Sequence, residues 1–253
     1  MPLLSMLLLT LLASLGSAVQ AEPLRIVSEP WAPYIYEENG QPRGLDYEAS
    51  AIVFQRLGIE VQWSLMPWKR CLVELESGSA DAVLDIFQNR EREKQMAFPR
   101  EPLSQVEFVL FYARQRPYPF QRLADLQGLK VGVSPGYWYA DQAFRTSPLF
   151  IREPAPTHEA NLGKLVRDRV DLVVNDRRAG QFLLRQMGLE DEVGQHAKVI
   201  SRDHLYLAFR RLPRLEGLAE RFGEALRRFK QEPEYAQLMA RYQEPGGDIS
   251  SNR

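Results

Sequence analysis

The sequence predicts an α/β chain built as two halves in series, and three observations carry that prediction. Short apolar runs alternate with helical stretches between residues 24 and 84, and again between residues 129 and 187. A strand-like run, Val106 to Tyr112, stands between the two sets. Two amphipathic stretches then close the chain with no further set of strands for them to cover. Strand and helix in alternation is the pattern of βαβ units, whose parallel sheet is covered on both faces. Helices without strands of their own must pack on a sheet already built.

In order along the chain, Leu24 to Val27 opens as a strand, and Pro30, Pro33, Asn39-Gly40 and Pro42 mark a turn-rich segment. From Asp46 the apolar positions Ala49, Ile52, Val53 and Leu57 share one helical face, and Gly58 supplies the stop. Ile59 to Trp63 alternates as a strand, residues 69–76 form a helix ended by Ser77-Gly78, and Ala82 to Leu84 is a short buried strand. The second half repeats the grammar with a strand at 129–133, a helix at 159–168, a strand at 170–174 and a helix at 179–187 closed by Gly188. His204 to Phe209 alternates as a last strand. Leu215, Leu218, Phe222, Leu226 and Phe229 then repeat at helical spacing, and Pro233 begins a final helix carrying Tyr235, Leu238 and Tyr242. The polar end beyond Gly246-Gly247 reads as a frayed terminus.

Composition narrows the function. The 253 residues hold 33 acidic and 32 basic side chains, for a formal charge of −1, with 45% hydrophobic residues and one cysteine. Near-neutral charge offers no nucleic-acid footprint, and a lone cysteine excludes an internal disulfide framework. Residues 1–21 carry no charged side chain, run through eight leucines and methionines between Leu3 and Leu12, and end in Val19-Gln20-Ala21. This is the anatomy of a secretory signal peptide, with cleavage expected after Ala21. Cys71 lies on the apolar face of its helix with Leu72 and Leu75 and reads as a small buried hydrophobe. The three histidines are scattered, and no metal-ligand spacing, phosphate-cradling glycine loop or nucleophile elbow is present, so no cofactor, metal or catalytic set is predicted.

Seven short motifs then fall in one order: Trp31-Ala32-Pro33-Tyr34; Gly44-Leu45-Asp46-Tyr47-Glu48; Trp68 ahead of Gly78-Ser79-Ala80-Asp81-Ala82; Asn89-Arg90-Glu91-Arg92 with Phe98; Leu126 to Val133; Gly136; and Asp171 to Asp176. In that order the chain resembles the bacterial extracellular solute-binding proteins of family 3, the receptors of polar amino-acid uptake. The resemblance implies a two-lobed periplasmic-binding-protein fold of type II, each lobe a mostly parallel sheet flanked by helices, joined by a two-strand hinge. It divides the chain into a signal peptide (1–21), a first lobe (22–111 and 204–253) and a second lobe (112–203). It further implies a monomeric periplasmic receptor, not an enzyme, that closes on a small amino-acid-like ligand and delivers it to the membrane permease of an ABC transporter. The same fold also serves a dehydratase acting on prephenate or arogenate, with Asp85 or Glu29 as the suspect acid, and signalling receptors; fold alone does not separate these.

The site residues follow from the resemblance. Arg92 matches the arginine that receives the ligand carboxylate, for which a planar guanidinium is the natural bidentate partner. Asp176 matches the carboxylate that receives the ammonium, from the opposite lobe. Trp31 and Trp68 match the rings that sandwich the ligand side chain, and Tyr34, Tyr137 and Trp138 lie beside cleft motifs. Asn89 stands where relatives carry Thr, and Gly136 is followed by bulk where they carry small hydroxyl residues. Asp85 stands in a stretch where they carry Ser or Gly, so it either takes over a ligand contact or adds a second anion. Against this reading, Arg92 sits among Arg90, Glu91, Glu93 and Lys94 and is alternatively one more solvated charge.

Overall fold

The computed structural model describes residues 22–135 and 137–243. The signal segment, Gly136 and the polar C-terminal end lie outside the described residues. The first half builds β1 (Leu24–Ser28), a hairpin of β2 (Tyr36–Glu38) and β3 (Gln41–Arg43), α1 (Leu45–Arg56), β4 (Val61–Leu65), α2 (Trp68–Ser77) and β5 (Ala82–Phe87). A short turn of helix, α3 (Arg92–Gln95), and β6 (Met96–Ala97) lead into the long β7 (Ser104–Ala113). The second half adds β8 (Lys130–Val133), α4 (Gln142–Thr146), β9 (Ile151–Pro154), α5 (His158–Val166), β10 (Leu172–Asp176), α6 (Arg177–Met187) and β11 (Val193–Gln195). The long β12 (Ser201–Arg210) returns the chain, and α7 (Pro213–Phe229) and α8 (Pro233–Gln243) complete it.

Strand order along the main sheet is β4-β1-β5-β12-β7-β10-β8-β9. The outer strands on each side are parallel, β1 to β4 and β5 in one lobe and β8 to β9 and β10 in the other. The two long strands between them are antiparallel and each changes partner halfway. Ser104–Phe108 of β7 pairs with Leu205–Ser201 of β12, whereas Phe108–Tyr112 pairs with β10 and Leu205–Phe209 pairs with β5. These two strands are the double crossover between the lobes. The expected division at residues 111 and 112 falls within the part of β7 already paired to β10. The run Val106 to Tyr112 is apolar apart from Glu107, so periodicity alone does not reveal where the partner changes.

Apolar faces explain the layers. In the first lobe, Ile26, Leu84 and Phe209 pack on α1, α7 and α8 through Phe54, Phe222 and Leu238, which is why the two closing helices need no strands of their own. The opposite face packs on α2 through Cys71 and Leu75. Burial pushes the Cys71 thiol up to about 12, so it stays a protonated hydrophobe. In the second lobe, Val109, Phe111 and Val173 pack on α5 and α6. Trp63 of β4 packs edge-on against Tyr47 with ring centroids 4.9 Å apart.

One cluster crosses between the lobes. Trp31, Tyr34 and Phe87 of the first lobe are buried with Phe108, Tyr139 and Phe144, so the lobes meet through aromatic rings. A close backbone approach fixes the first-lobe side of this contact. Gly44 has φ 127°, and a Cβ there would lie 2.2 Å from the Tyr34 carbonyl oxygen. That oxygen accepts from the Asp46 and Tyr47 N–H groups at 3.0 and 3.2 Å, which docks the Trp31–Tyr34 loop onto the start of α1.

Candidate functional site

The site lies where the carboxyl ends of β1 and β5 face the loop after β8, and it is closed. Trp31, Trp68, Asp85, Arg92, Tyr137 and Trp138 line one cavity, together with Glu29 and Phe87. The free space among them is about 10 Å³, room for about one water. Trp31, 4% exposed, stacks on His158 of α5 (5.8 Å between centroids, 16° between planes) and meets Tyr137 edge-on at 5.4 Å. A ligand therefore enters only when the lobes part or these rings turn aside. Trp31 and Trp68 share the cavity wall.

Arg92 is no solvated helix charge. Its neighbours Arg90, Glu91, Glu93 and Lys94 are exposed, whereas Arg92 is half-buried. Its Nη1 donates to the Phe87 carbonyl (2.7 Å), and its guanidinium carbon lies 5.5 Å from the Trp68 ring centroid. No carboxylate pairs with it among the described residues, and burial lowers its pKa to about 10, so it stays charged at neutral pH. A half-buried cation with one strong hydrogen bond and no counter-charge is what a ligand carboxylate needs.

Asp85 is the second unusual group. It is 6% exposed, has φ 61°, a region costly for residues other than glycine, and neither carboxylate oxygen has a hydrogen-bond donor among the described residues. Burial and the neighbouring Asp46 push its pKa well above the usual carboxylate range. Asp46, in the first turn of α1, accepts from the Ser104 hydroxyl at 2.5 Å and is pushed up to about 6, chiefly by burial. Glu29 is also raised by burial; it accepts from the Tyr137 hydroxyl at 3.2 Å. That hydroxyl lies 3.0 Å from His158 Nε2, which makes a polar strap between the lobes. Burial pushes His158 down to about 4, so the ring is neutral.

Asp176 is placed differently from the expectation. It is 1% exposed and caps α6, with Oδ1 accepting from the Ala179 N–H and the Tyr34 hydroxyl, and Oδ2 from the Glu107 N–H, each at 2.9 Å. It lines not the Arg92 cavity but an open groove of about 470 Å³ beyond it, beside Arg178 and Tyr242. Tyr34 is likewise engaged there and is not a cavity wall. Asn89 also differs: its Oδ1 accepts from the Glu91 and Arg92 N–H groups (3.0 and 2.9 Å), so it holds the turn that presents Arg92. The structure thus brings together six predicted site residues, sets Tyr34, Asn89 and Asp176 in supporting positions, and Gly136 lies outside the described residues. His158 and Asp46 were not predicted. Asp46 had a signal, an acid within the first turn of a helix whose face is otherwise apolar; His158 had none beyond its place at a helix start.

Among curated proteins the chain is 22% identical, over 159 residues, to the probable amino-acid-binding protein YxeM of Bacillus subtilis (strain 168). That match covers 62% of this chain and spans about 60% of the relative's length. An ancestral arginine-binding protein bound to arginine superposes with a TM-score of 0.76 at 23% identity, covering 88% of this chain and 98% of that one. The ancestral amino-acid-binding protein AncCDT-1, a precursor of cyclohexadienyl dehydratase, superposes at 0.73 with 20% identity, covering 88% and 95%. At such identities these structures establish the fold, α/β with a curled, mostly parallel sheet and a two-strand crossover. The family model for bacterial extracellular solute-binding proteins, family 3, matches residues 24–245, nearly all of the described chain, and the protein belongs to that family.

Proposed function

We propose that the protein captures a small amino-acid-like ligand between its lobes and presents it to the permease of an ABC transporter. The lobes are residues 22–111 with 204–253, and residues 112–203, moving about β7 and β12. The observation that carries the reading is Arg92, a half-buried guanidinium without a counter-charge in an interlobe cavity lined by Trp31, Trp68 and Trp138. Charge-assisted hydrogen bonds contribute about 1.5–3 kcal/mol each, so a bidentate carboxylate plus ring contacts reaches the roughly −8 kcal/mol of a micromolar binder. Export to the periplasm follows in this reading from cleavage after Ala21, which N-terminal sequencing of the exported protein checks; an intact Met1 contradicts it. Capture is tested by a thermal-shift screen of amino acids, polyamines and small carboxylates. A ligand at 100 times its dissociation constant adds about 2.7 kcal/mol of stability.

An elimination enzyme on the same fold is the second reading, favoured by one observation: Asp85 is a cavity-wall carboxyl whose hold on a proton is raised by burial and by the neighbouring Asp46. Turnover of prephenate that disappears in Asp85→Asn supports it. A protein inert toward prephenate that responds to amino acids rejects it.

A further inference from the structure

Two buried carboxyls meet at the first-lobe wall of the cavity, and neither forms an ion pair among the described residues. Asp85 lines the cavity with both oxygens undonated, and Asp46 behind it has Oδ1 on Ser104 and a buried Oδ2 with no donor among the described residues. The two side chains lie within hydrogen-bonding reach of each other. Two adjacent buried carboxyls resist ionising together, and burial pushes both up, so the pair holds a proton more strongly than two separate carboxyls would. From the other elements, Glu29 and Arg92 face the same cavity from the first lobe and Tyr137 from the second. Lys230 and Arg178 act on Asp46 only at longer range, and the Tyr34 and Tyr235 hydroxyls sense it without donating to it. None of these groups donates to Asp85. Of the other carboxyls, Glu29 in the same cavity already accepts from the Tyr137 hydroxyl, and Asp176 outside it accepts three hydrogen bonds.

We infer that the cavity receives the cationic group of its ligand, a primary amine or guanidinium, at Asp85, on the same lobe as Arg92, in competition with the proton shared by Asp46 and Asp85. This rests on ligand capture at the Arg92 cavity and adds the class of ligand and the atom that selects it. A zwitterion with its carboxylate on Arg92 and its cation on Asp85 is held entirely by the first lobe. The second lobe then contributes rings, Tyr137 and Trp138, and closes over a ligand already oriented. The competition also fixes a pH dependence. A cation near the pair lowers its hold on the proton, so by linkage amine affinity rises as pH rises through the pair's titration, by at most about tenfold per pH unit for one proton released.

The test titrates the purified protein with three probes at pH 5.5 and pH 8: L-arginine, which has both groups, putrescine, which has amines only, and glutarate, which has carboxylates only. L-Arginine and putrescine are expected to bind more tightly at pH 8. Asp85→Asn, whose amide keeps the shape and the bond to Asp46 and tolerates positive φ, is expected to lose the putrescine response and keep that of glutarate; Arg92→Ala is expected to do the reverse. Putrescine affinity that is unchanged in Asp85→Asn, or flat between the two pH values in the wild type, overturns the inference. A response to glutarate alone overturns it while leaving capture at Arg92 intact, and no response to any probe overturns both.

Discussion

Asp85 and Asp176 are both carboxyls buried at the lobe interface near the ends of parallel strands, β5 and β10, yet among the described residues one has no donor and the other has three. Asp176 sits at a helix start, where orphan N–H groups converge, and the Tyr34 hydroxyl of the opposite lobe completes its set. Its burial raises its pKa, but these donors pull it back. Asp85 sits at positive φ where the pairing of β5 with β12 is irregular, and the charged group that acts on it is another acid, Asp46. The difference separates two kinds of buried carboxyl: a satisfied group stabilises the closed interface, and an unsatisfied one lowers stability, a cost that the inferred ligand cation would relieve.

The largest expected effect breaks the satisfied side. Asp176→Ala strips the cap from α6 and leaves the Tyr34 hydroxyl and the Glu107 and Ala179 N–H groups unpaired, which should cost about 3 kcal/mol in chemical denaturation. An unchanged midpoint contradicts the role given to Asp176. Asp85→Asn should do the opposite and stabilise the ligand-free protein by about 1–3 kcal/mol at pH 8. The sign follows from the raised pKa values of the pair. Stability is fully present below the unfolded-state pKa of about 4 and is lost as pH rises through the folded values, of which Asp46's is about 6. The gain of the variant over wild type should therefore vanish at pH 4, and a gain independent of pH contradicts the shared proton.

Smaller effects sharpen the contrast. Tyr34→Phe removes one of three donors to Asp176 and should cost about 1 kcal/mol, well below Asp176→Ala. On the strap across the cavity, His158 is expected to titrate near pH 4 in an NMR pH series, against about 6.5 for a free histidine. Because that pKa is lowered, its contribution is present above about pH 6.5 and is lost as pH falls through about 4. A titration near 6.5 would mean that the lobes stand open around the ring.

Much of the fold was legible because burial writes itself as periodicity. The stripes of α1 and α7 and the apolar runs of β5 and β10 read directly, the missing third set of strands announced that the last helices pack on a sheet already built, and the resemblance assigned that sheet to the first lobe. The hairpin β2–β3 and strands β9 and β11 were not legible: they are short, and the hairpin and β9 bury almost nothing. The site divided in the same way. Arg92 and the tryptophans could be located by motif, but not the burial that separates Arg92 from its charged neighbours. The saturation of Asp176 depends on Tyr34, 142 residues away, and the acid pair depends on the packing of α1 against β5. Contacts of that range leave no mark on local spacing.

Arg92→Ala measures the central account most directly. Isothermal titration of wild type and variant with the carboxylate-bearing compound that gives the largest thermal shift should show affinity falling at least a hundredfold, as expected for two lost charge-assisted hydrogen bonds. The melting point of the unliganded protein should change little. Equal affinity in the two proteins contradicts capture at Arg92 and moves the ligand elsewhere.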